Sequence, residues 1–351
     1  GRILSASDDR SARLWGPDGQ PLAVLAGHKG GVRSALFSPD GQRLLTASAD
    51  RTLKLWSAAG AELATLAGHT DWALQAAFDP AGERIVSAGA DGTARVWSTA
   101  GAELAVLDTG AEWVASAEFA PDGQRVLTAS SDGILRLWST AGELLHELRG
   151  HTDAVWHAAF APDGRCIASA SRDQTVRLWS ADGAELAVLA GHTGPVRMVA
   201  FGPDGRSLAS CSKDTTVRLY DLDRRGARLR AVLAGHRGPV NHVAFGWGGE
   251  RLATASEDGS ARVWTADGEL VAVLEGHAGA VQQAVFAGGG PREASVITAG
   301  ADGTLRIFPL FESRELIERA EARSPRAALT AAERAEFFIP PPTGESGPDG
   351  R

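Results

Sequence analysis

DGTARVW, residues 91–97, begins with an Asp-Gly turn and continues as a short stretch in which polar and apolar side chains alternate. Asp-Gly is a turn dipeptide, and alternation with a period of two predicts a β-strand. Similar stretches recur as DRTLKLW at 50–56, DGILRLW at 132–138 and DQTVRLW at 173–179. A serine or threonine lies four residues before each of these aspartates. A repeated unit of strand, turn and strand therefore decides the fold.

The aromatic residue that ends each stretch recurs at a fixed period. Its positions are Trp15, Trp56, Trp97, Trp138, Trp179, Tyr220, Trp264 and Phe308. Successive positions are 41 residues apart up to Tyr220 and 44 residues apart after it. Within each period the chain passes through four short alternating segments separated by turns, which predicts four antiparallel strands per unit. We name these strands d, a, b and c in sequence order.

Composition and charge narrow the class of protein. A chain of 351 residues with 44% hydrophobic and 22% charged residues could form one large domain or two small ones. No apolar run approaches the ~20 residues of a membrane span, and no signal peptide is recognisable, so we expect no membrane partner. The net charge of −8 argues against nucleic acid as the main partner. Cys166 and Cys211 are expected to be free thiols, which favours a cytoplasmic location.

Gly-His pairs lie near the start of most units, at 27–28, 68–69, 150–151, 191–192, 235–236 and 276–277. A unit of about 40 residues with Gly-His near its start and an aromatic residue at its end resembles the WD-repeat β-propeller family. The resemblance covers residues 1–309, although Trp-Ser mostly replaces the final Trp-Asp of the family, as at 56–57. It implies an all-β propeller with four antiparallel strands per blade. Near-identical repeats of this kind resemble those of bacterial multidomain proteins, in which an effector domain precedes the array.

The number of blades has two solutions. Seven d-a-b-c units run from 21 to 308, and in the family the first strand d usually completes the last blade. This favours seven blades, with residues 1–15 as an extra b–c hairpin. The alternative is eight blades, the first without strand a and the last without strand d. Beyond the propeller we expect a helical tail over 310–339 and disorder over 340–351.

Histidine, serine or threonine, aspartate and tryptophan recur together, a combination that suggests nucleophilic catalysis. A catalytic site needs one accessible nucleophile, however, whereas these residues recur in nearly every unit. The resemblance to the WD-repeat family implies instead a hydrogen-bonded chain that stabilises each blade. The complete sets are His28, Thr46, Asp50 and Trp56; His69, Ser87, Asp91 and Trp97; His151, Ser169, Asp173 and Trp179; and His236, Thr254, Asp258 and Trp264.

Three units depart from this set. Tyr220 and Phe308 replace the tryptophan in two of them. In the third, Gly110 replaces the histidine, so Asp132 lacks an imidazole partner and we expect its d–a loop to open more readily. We assign no catalytic residue. Without a Cys/His cluster or a phosphate-binding loop in the sequence, we also assign no metal and no cofactor.

Positions that vary between units are the candidates for function. In the family, ligands meet the face that contains the d–a and b–c loops, around the central channel. At this face, tryptophans on three consecutive units lie near arginine and lysine, and Trp and Arg are favoured at protein interfaces. The candidate partner-binding residues are Arg33, Trp72, Leu74, Trp113, Trp156, Arg172, Arg197, Lys213, Asn241 and Glu257.

These features predict a non-enzymatic scaffold that recognises a protein or peptide. The basic side chains predict an acidic or phosphorylated partner. Because the chain begins with Gly1, within a unit, we expect a piece of a longer protein in which the propeller is a sensor or assembly module. The alternative is an enzyme with its active site in the central channel, for which Glu257 is the one carboxylate at the rim positions.

Overall fold

The computed structural model describes residues 1–223, 226–287 and 295–310. Within them, thirty β-strands form eight antiparallel sheets, and strands that are neighbours in sequence are neighbours in each sheet. The predicted all-β propeller with four antiparallel strands per blade is confirmed. Apart from Leu310, the helical tail expected at 310–339 and the disorder expected at 340–351 lie outside the described residues.

Six sheets contain four strands, in the order a, b, c, d from the channel outward. They are β4–β7 (Val32–Phe37, Arg43–Ser48, Thr52–Ser57, Glu62–Ala67), β8–β11 (Ala73–Phe78, Arg84–Gly89, Thr93–Ser98, Glu103–Asp108), β12–β15 (Val114–Phe119, Arg125–Ser130, Leu135–Ser139, Leu144–Leu148), β16–β19 (Val155–Phe160, Cys166–Ser171, Val176–Ser180, Glu185–Leu189), β20–β23 (Val196–Phe201, Ser207–Ser212, Val217–Asp223, Gly226–Leu233) and β24–β27 (Val240–Gly246, Arg251–Ser256, Ala261–Thr265, Leu270–Leu274). A short 3-10 turn at Trp247–Gly249 follows β24.

The first and last sheets contain three strands each. They are β1–β3 (Ile3–Ala6, Ser11–Trp15, Pro21–Ala26) and β28–β30 (Val281–Ala287, Ser295–Gly300, Leu305–Pro309). We number the sheets as blades 1 to 8 in chain order. Blade 1 lacks strand a, and blade 8 lacks strand d.

The count of eight blades corrects the favoured prediction of seven. β3 pairs with β2, with Pro21 opposite Trp15, and so completes blade 1 instead of blade 8. The reason is local: the turn closed by the Gly16 amide and the Gln20 carbonyl, 2.8 Å apart, directs β3 back along β2. Residues 1–15 are therefore two strands of a blade and not an extra hairpin. The structure matches the alternative prediction.

The hydrophobic core lies between the blades. At one junction, for example, Leu45 of blade 2 belongs to the same buried cluster as Ile85 and Trp97 of blade 3. Equivalent clusters join every consecutive pair from blade 1 to blade 8. Burial of one large apolar side chain stabilises a fold by ~1.5–3 kcal/mol. Much of the stability of the ring therefore comes from these junctions.

Blades 8 and 1 meet through a smaller contact. A Cβ atom at Gly19, in the c–d turn of blade 1, would lie 3.5 Å from Cδ1 of Ile307 on β30. In blade 2 a Cβ atom at the equivalent turn residue, Gly60, would lie 2.8 Å from Cβ of Ala23 and 3.1 Å from Cδ2 of Leu25, both on the preceding strand d. β30 takes this place at the seam because blade 8 has no strand d.

Both cysteines are free thiols, as expected. Burial raises the pKa of Cys166 to about 11 and that of Cys211 to about 12. Within the described ranges, no helix has the length and apolar character needed to cross a membrane.

Candidate functional site

The d–a loop and the b–c turn of a blade lie together at one end of the ring. In blades 2 to 8, the amide just before the b–c aspartate donates to a carbonyl of the d–a loop, with N···O distances of 2.8–3.0 Å. The donor and acceptor pairs are Ala49 and Gly31, Ala90 and Trp72, Ser131 and Trp113, Arg172 and Ala154, Lys213 and Pro195, Glu257 and Pro239, and Ala301 and Ala280. This repeated bond places the two rows of varying side chains next to each other on one face.

In blade 2 a continuous hydrogen-bonded chain passes through four side chains. Nδ1 of His28 lies 2.9 Å from an Asp50 carboxylate oxygen, and Nε2 lies 2.8 Å from the Thr46 hydroxyl. The same hydroxyl accepts from the indole N–H of Trp56 at 2.9 Å. Because the carboxylate accepts the Nδ1 proton, Nε2 accepts the hydroxyl hydrogen of Thr46. Every polar side-chain atom of this hydrogen-bonded set thus has a partner.

The same chain recurs in blades 3, 5 and 7. In each of them the serine or threonine hydroxyl lies 2.7–2.8 Å from the imidazole Nε2 and 2.9–3.0 Å from the indole nitrogen. The residues are His69, Ser87, Asp91 and Trp97 in blade 3; His151, Ser169, Asp173 and Trp179 in blade 5; and His236, Thr254, Asp258 and Trp264 in blade 7. Blades 6 and 8 contain the links between imidazole, hydroxyl and carboxylate.

The hydroxyl groups of these sets are not accessible to a substrate. Thr46, Ser87, Ser169 and Thr254 are each 0% exposed. Each aspartate also accepts from a d–a loop amide, as Asp50 does from Lys29. The sets therefore join the two loops of the binding face, a structural role, and none of these hydroxyls is an accessible nucleophile.

Burial and hydrogen bonding keep the imidazole neutral and the carboxylate charged. Burial lowers the pKa of His28, against the attraction of the Asp50 charge. Burial alone would raise the pKa of Asp50, but hydrogen bonds from Thr52, the Lys29 amide and His28 outweigh it and hold the pKa at about 2. A nucleophile-activating histidine needs a pKa close to the working pH. The lowered pKa of His28 supports the structural interpretation.

Blade 4 uses an arginine where the other blades use an imidazole. The guanidinium of Arg136 donates to Asp132 at 2.7 Å and to Ser130 at 3.1 Å. The side chain is buried, being 6% exposed. The loop with Gly110 also has its own anchor, because the Thr109 hydroxyl donates to the neighbouring blade at 2.7 Å. Asp132 thus lacks an imidazole but has a partner. Its donors are Ser130, Ile134 and Arg136, none of them in the d–a loop, so the easier opening of this loop stays a prediction.

One predicted rim residue from each of blades 3 to 6 lines a depression of about 520 Å³. Its walls are formed by Leu74, Ala90, Trp113, Ala115, Trp156 and Arg197. Four of the predicted partner-binding residues are therefore brought together, from four consecutive blades. Both tryptophans are half-buried, so part of each indole faces the depression.

Two cations stack on the same indole at this depression. The guanidinium carbon of Arg197 lies 5.7 Å from the ring centroid of Trp156, and Nζ of Lys213 lies 5.2 Å from it. Neither cation forms an ion pair with a carboxylate of the described chain. A cation held on an aromatic face leaves its other side available to an anion. Of these two cations, Arg197 belongs to the wall of the depression, and Lys213 reaches only the indole of Trp156.

Arg33 and Trp72 lie outside this depression. The guanidinium of Arg33 stacks on the indole of Trp72 at 5.0 Å and pairs with Asp8 at 3.2 Å. Trp72 is 46% exposed, more than the two tryptophans of the depression. These residues extend the aromatic and basic surface toward blade 2.

The remaining predicted rim residues differ in their partners. Arg172 is exposed and lies 3.6 Å from Asp153. Asn241 donates to the carbonyl of Val281 at 3.2 Å. Glu257 is exposed. The structure places none of the three in the wall of the depression.

Three titratable side chains on the innermost strands bear on the enzyme alternative. The Glu118 carboxylate accepts a hydrogen bond from the Phe160 amide, with an N···O distance of 2.5 Å, and burial raises the pKa of Glu118 to about 7. Burial lowers the pKa of His157 and of His242 to about 4, and each Nδ1 is buried without a partner in the described structure. Sequence analysis missed Glu118, whose signal is a charged residue at a position where the other units have alanine, leucine or valine. No hydrogen bond among the described residues joins the three into a catalytic set.

The described residues also include no group of three or more His, Cys, Asp or Glu side chains arranged to hold a metal ion.

Comparison with known proteins is consistent with this architecture. Seven segments match the family described as WD domain, G-beta repeat: 19–57, 60–98, 101–139, 142–180, 183–221, 227–265 and 268–308. The crystal structure of the computationally designed Ika8 protein is similar, with a TM-score of 0.78 and 26% identity over 88% of this chain and 93% of that chain. No curated protein matches the chain. From its seven matched repeats and its ring of blades, the chain belongs to the WD-repeat family.

Proposed function

We propose that this chain is a non-enzymatic recognition scaffold that binds an acidic or phosphorylated protein segment at the depression between blades 3 and 6. Propellers of the WD-repeat family are generally scaffolds for protein interaction and are typically not catalytic. The observation that supports this site is the pair of cations, Arg197 and Lys213, stacked on the indole of Trp156.

The depression combines an apolar wall with a positive edge. Leu74 and Trp113 offer the apolar wall, where a side chain of the partner would be stabilised by ~25 cal/mol per Å² of buried area. A carboxylate or phosphate next to that side chain would meet Arg197 and Lys213 from the side opposite the indole. Charge-assisted hydrogen bonds of this kind contribute ~1.5–3 kcal/mol each. A short acidic segment with one apolar residue suits both features.

The propeller would act as the sensor or assembly module of a longer protein with an upstream effector domain. The support is the resemblance of its near-identical repeats to those of bacterial multidomain proteins. Two free thiols agree with a reducing, cytoplasmic compartment. The alternative of an enzyme in the channel has weaker support, because no hydrogen bond among the described residues joins Glu118, His157 and His242.

An array of 12-residue peptides tests the proposal. The array contains acidic, phosphoserine-containing and neutral peptides, and the purified protein is the probe. We expect binding to the first two classes, weaker as salt increases, because exposed charges are screened. Trp156→Ala should weaken the best peptides about 30-fold, the effect of losing a central aromatic anchor. Arg197→Glu should mainly slow association.

Two variants on other surfaces serve as controls. Arg206→Glu reverses an exposed charge in the same blade as Arg197 but in the a–b turn, at the opposite end of the ring. Leu186→Ala truncates an apolar side chain on the outer strand β19, where Leu186 is 55% exposed. Both should leave binding unchanged. Peptides that are indifferent to Trp156→Ala and Arg197→Glu but are lost with Arg206→Glu would show that the proposed face is wrong.

A further inference from the structure

The outermost strands of blades 1 to 7 are sheet edges that expose apolar side chains. Every large apolar side chain that is exposed among the described residues lies on one of these strands, apart from Trp72 and Val285. An exposed apolar strand edge is a template for pairing with another chain unless charges or a covering segment prevent it. The outer strands are β3, β7, β11, β15, β19, β23 and β27.

β15, the outer strand of blade 4, is the most open of these edges. Its residues from Leu144 to Glu147 are all exposed, with Leu144 at 47% and Leu145 at 41%. In β7, β11 and β19 the third residue is an alanine that is only partly exposed, whereas β15 has an exposed His146 there. Adjacent residues of a strand point to opposite faces, so Leu144 and Leu145 show that both faces of β15 are open to solvent.

The charges that flank β15 are complementary to a second copy of the same strand. Glu143 precedes the strand, Arg149 follows it, and both are exposed. If two copies run antiparallel with His146 opposite itself, residue 143 of each copy lies opposite residue 149 of the other. Side chains that are directly opposite lie on one face, with Cβ atoms about 4.5–5.5 Å apart, so two pairs of Glu143 and Arg149 form. The two Leu145 side chains become diagonal neighbours on that face.

The other described outer strands lack this pattern at the equivalent positions of the repeat. β27 has Glu269 and Glu275 there, so self-pairing would place like charges opposite each other. β23 has a charge only at the first position, Arg228, and β11 only at the second, Asp108. β3, β7 and β19 have no charge at either position. Charge complementarity therefore distinguishes β15 from the other edges.

We propose that the protein forms a symmetric dimer in which the β15 strands of two copies pair antiparallel and join their blades 4 into one eight-stranded sheet. A two-fold interface uses the same surface on both copies and closes at two. Arg149 pairs with Glu147 of its own chain, but its side chain is 64% exposed and accessible to Glu143 of the second copy. The residues of the depression lie on or beside the innermost strands, so the dimer leaves the depression open, and the inference is independent of the proposed function.

Sedimentation velocity at protein concentrations from ~10 µM to ~1 mM measures the association. One pair of strands is a small interface, typical of weak complexes, and we expect a dimer Kd on the order of 100 µM. Amide exchange at the highest concentration should show new protection in β15 and none in β19, the matched outer strand of the next blade. Association should weaken as salt increases, because the pairs of Glu143 and Arg149 are screened.

Two charge reversals test the pairing of the strands. Glu143→Arg and Arg149→Glu each replace both attractive pairs by like charges, so each variant alone should associate at least about tenfold more weakly. An equimolar mixture of the two variants restores opposite charges at both pairs, and we expect a Kd within about threefold of the original value. Restoration in the mixture also shows that both variants are folded. Arg206→Glu, in an exposed turn of blade 6, is the control and should leave association unchanged.

A monomer at every concentration would overturn the proposal. A dimer that both charge reversals leave unchanged would place the interface on another surface. A mixture that associates no better than the separate variants would show that residues 143 and 149 do not meet. Growth beyond the dimer would also refute it, because an open assembly requires contact between two different surfaces.

Discussion

Replacing Arg136 by alanine should destabilise blade 4 more than the equivalent replacement destabilises blade 3. Arg136 is buried, and its guanidinium makes the contact to Asp132 that an imidazole makes elsewhere. Removing it leaves the carboxylate with the Ser130 hydroxyl and the Ile134 amide as donors. The equivalent residue in blade 3, Arg95, instead pairs with a partly exposed glutamate while the blade's aspartate keeps its histidine.

The magnitude follows from the bonds that are lost. A hydrogen bond that involves a charged group contributes ~1.5–3 kcal/mol, and the guanidinium donates two such bonds, one to Asp132 and one to Ser130. The Asp132 side chain is 28% exposed, so water replaces part of the lost interaction. We therefore expect ~2–3 kcal/mol for Arg136→Ala. For Arg95→Ala we expect ~1 kcal/mol or less, because exposed ion pairs contribute ~0.2–1 kcal/mol. Both changes remove a similar aliphatic stem and an ion pair with a partly exposed glutamate, Glu147 for Arg136 and Glu103 for Arg95. The difference therefore isolates the contact to Asp132.

Urea unfolding, monitored by circular dichroism, measures the free energy of unfolding of both variants. Equal m values would show that the two variants expose the same surface on unfolding. Amide exchange across 107–114 and 148–155 shows whether the effect is local to the Gly110 loop or shared with the next one. In an Asp132→Ala background, Arg136→Ala should cost less than it does alone. Equal destabilisation by Arg136→Ala and Arg95→Ala would refute the view that the arginine replaces the imidazole.

Three further predictions concern the polar sets and the thiols. Asp173→Ala should lower stability by ~1–3 kcal/mol, because His151 loses its acceptor, and an unshifted thermal midpoint would contradict this. The free energy of unfolding should fall as the pH decreases below ~6.5, and most steeply between ~4 and ~2. The reason is that the unfolded chain, with normal histidine and aspartate pKa values, binds more protons than the folded chain, in which these pKa values are lowered. A urea midpoint that is constant from pH 7 to 3 would exclude this linkage. Burial raises the pKa values of the partly buried Cys166 and the buried Cys211, so both should react with a thiol reagent only slowly at pH 7 until urea unfolds the chain. Rapid labelling of both thiols in the native protein would count against these raised pKa values.

The sequence by itself determines the class of fold and the direction in which the candidate residues face. Turn residues and alternation specify each strand through local hydrogen bonding, so a 41-residue period predicts four-stranded blades. Equivalent positions of a repeat have equivalent orientations, which is why Leu74, Trp113, Trp156 and Arg197 could be assigned to one face. These properties depend on neighbours in sequence.

Only the tertiary structure decided the number of blades and the partners of individual side chains, because these depend on groups that are far apart in sequence and compete for the same space. β3 could pair with β2 or with β30, and the turn at 16–20 selects β2 and therefore eight blades. Arg136 and Arg95 occupy the same position of the repeat, yet only Arg136 has an acceptor left free by a missing histidine and so turns inward. Arg197 and Lys213, 16 residues apart, meet over an indole of the preceding blade because the packing of blades brings their side chains together.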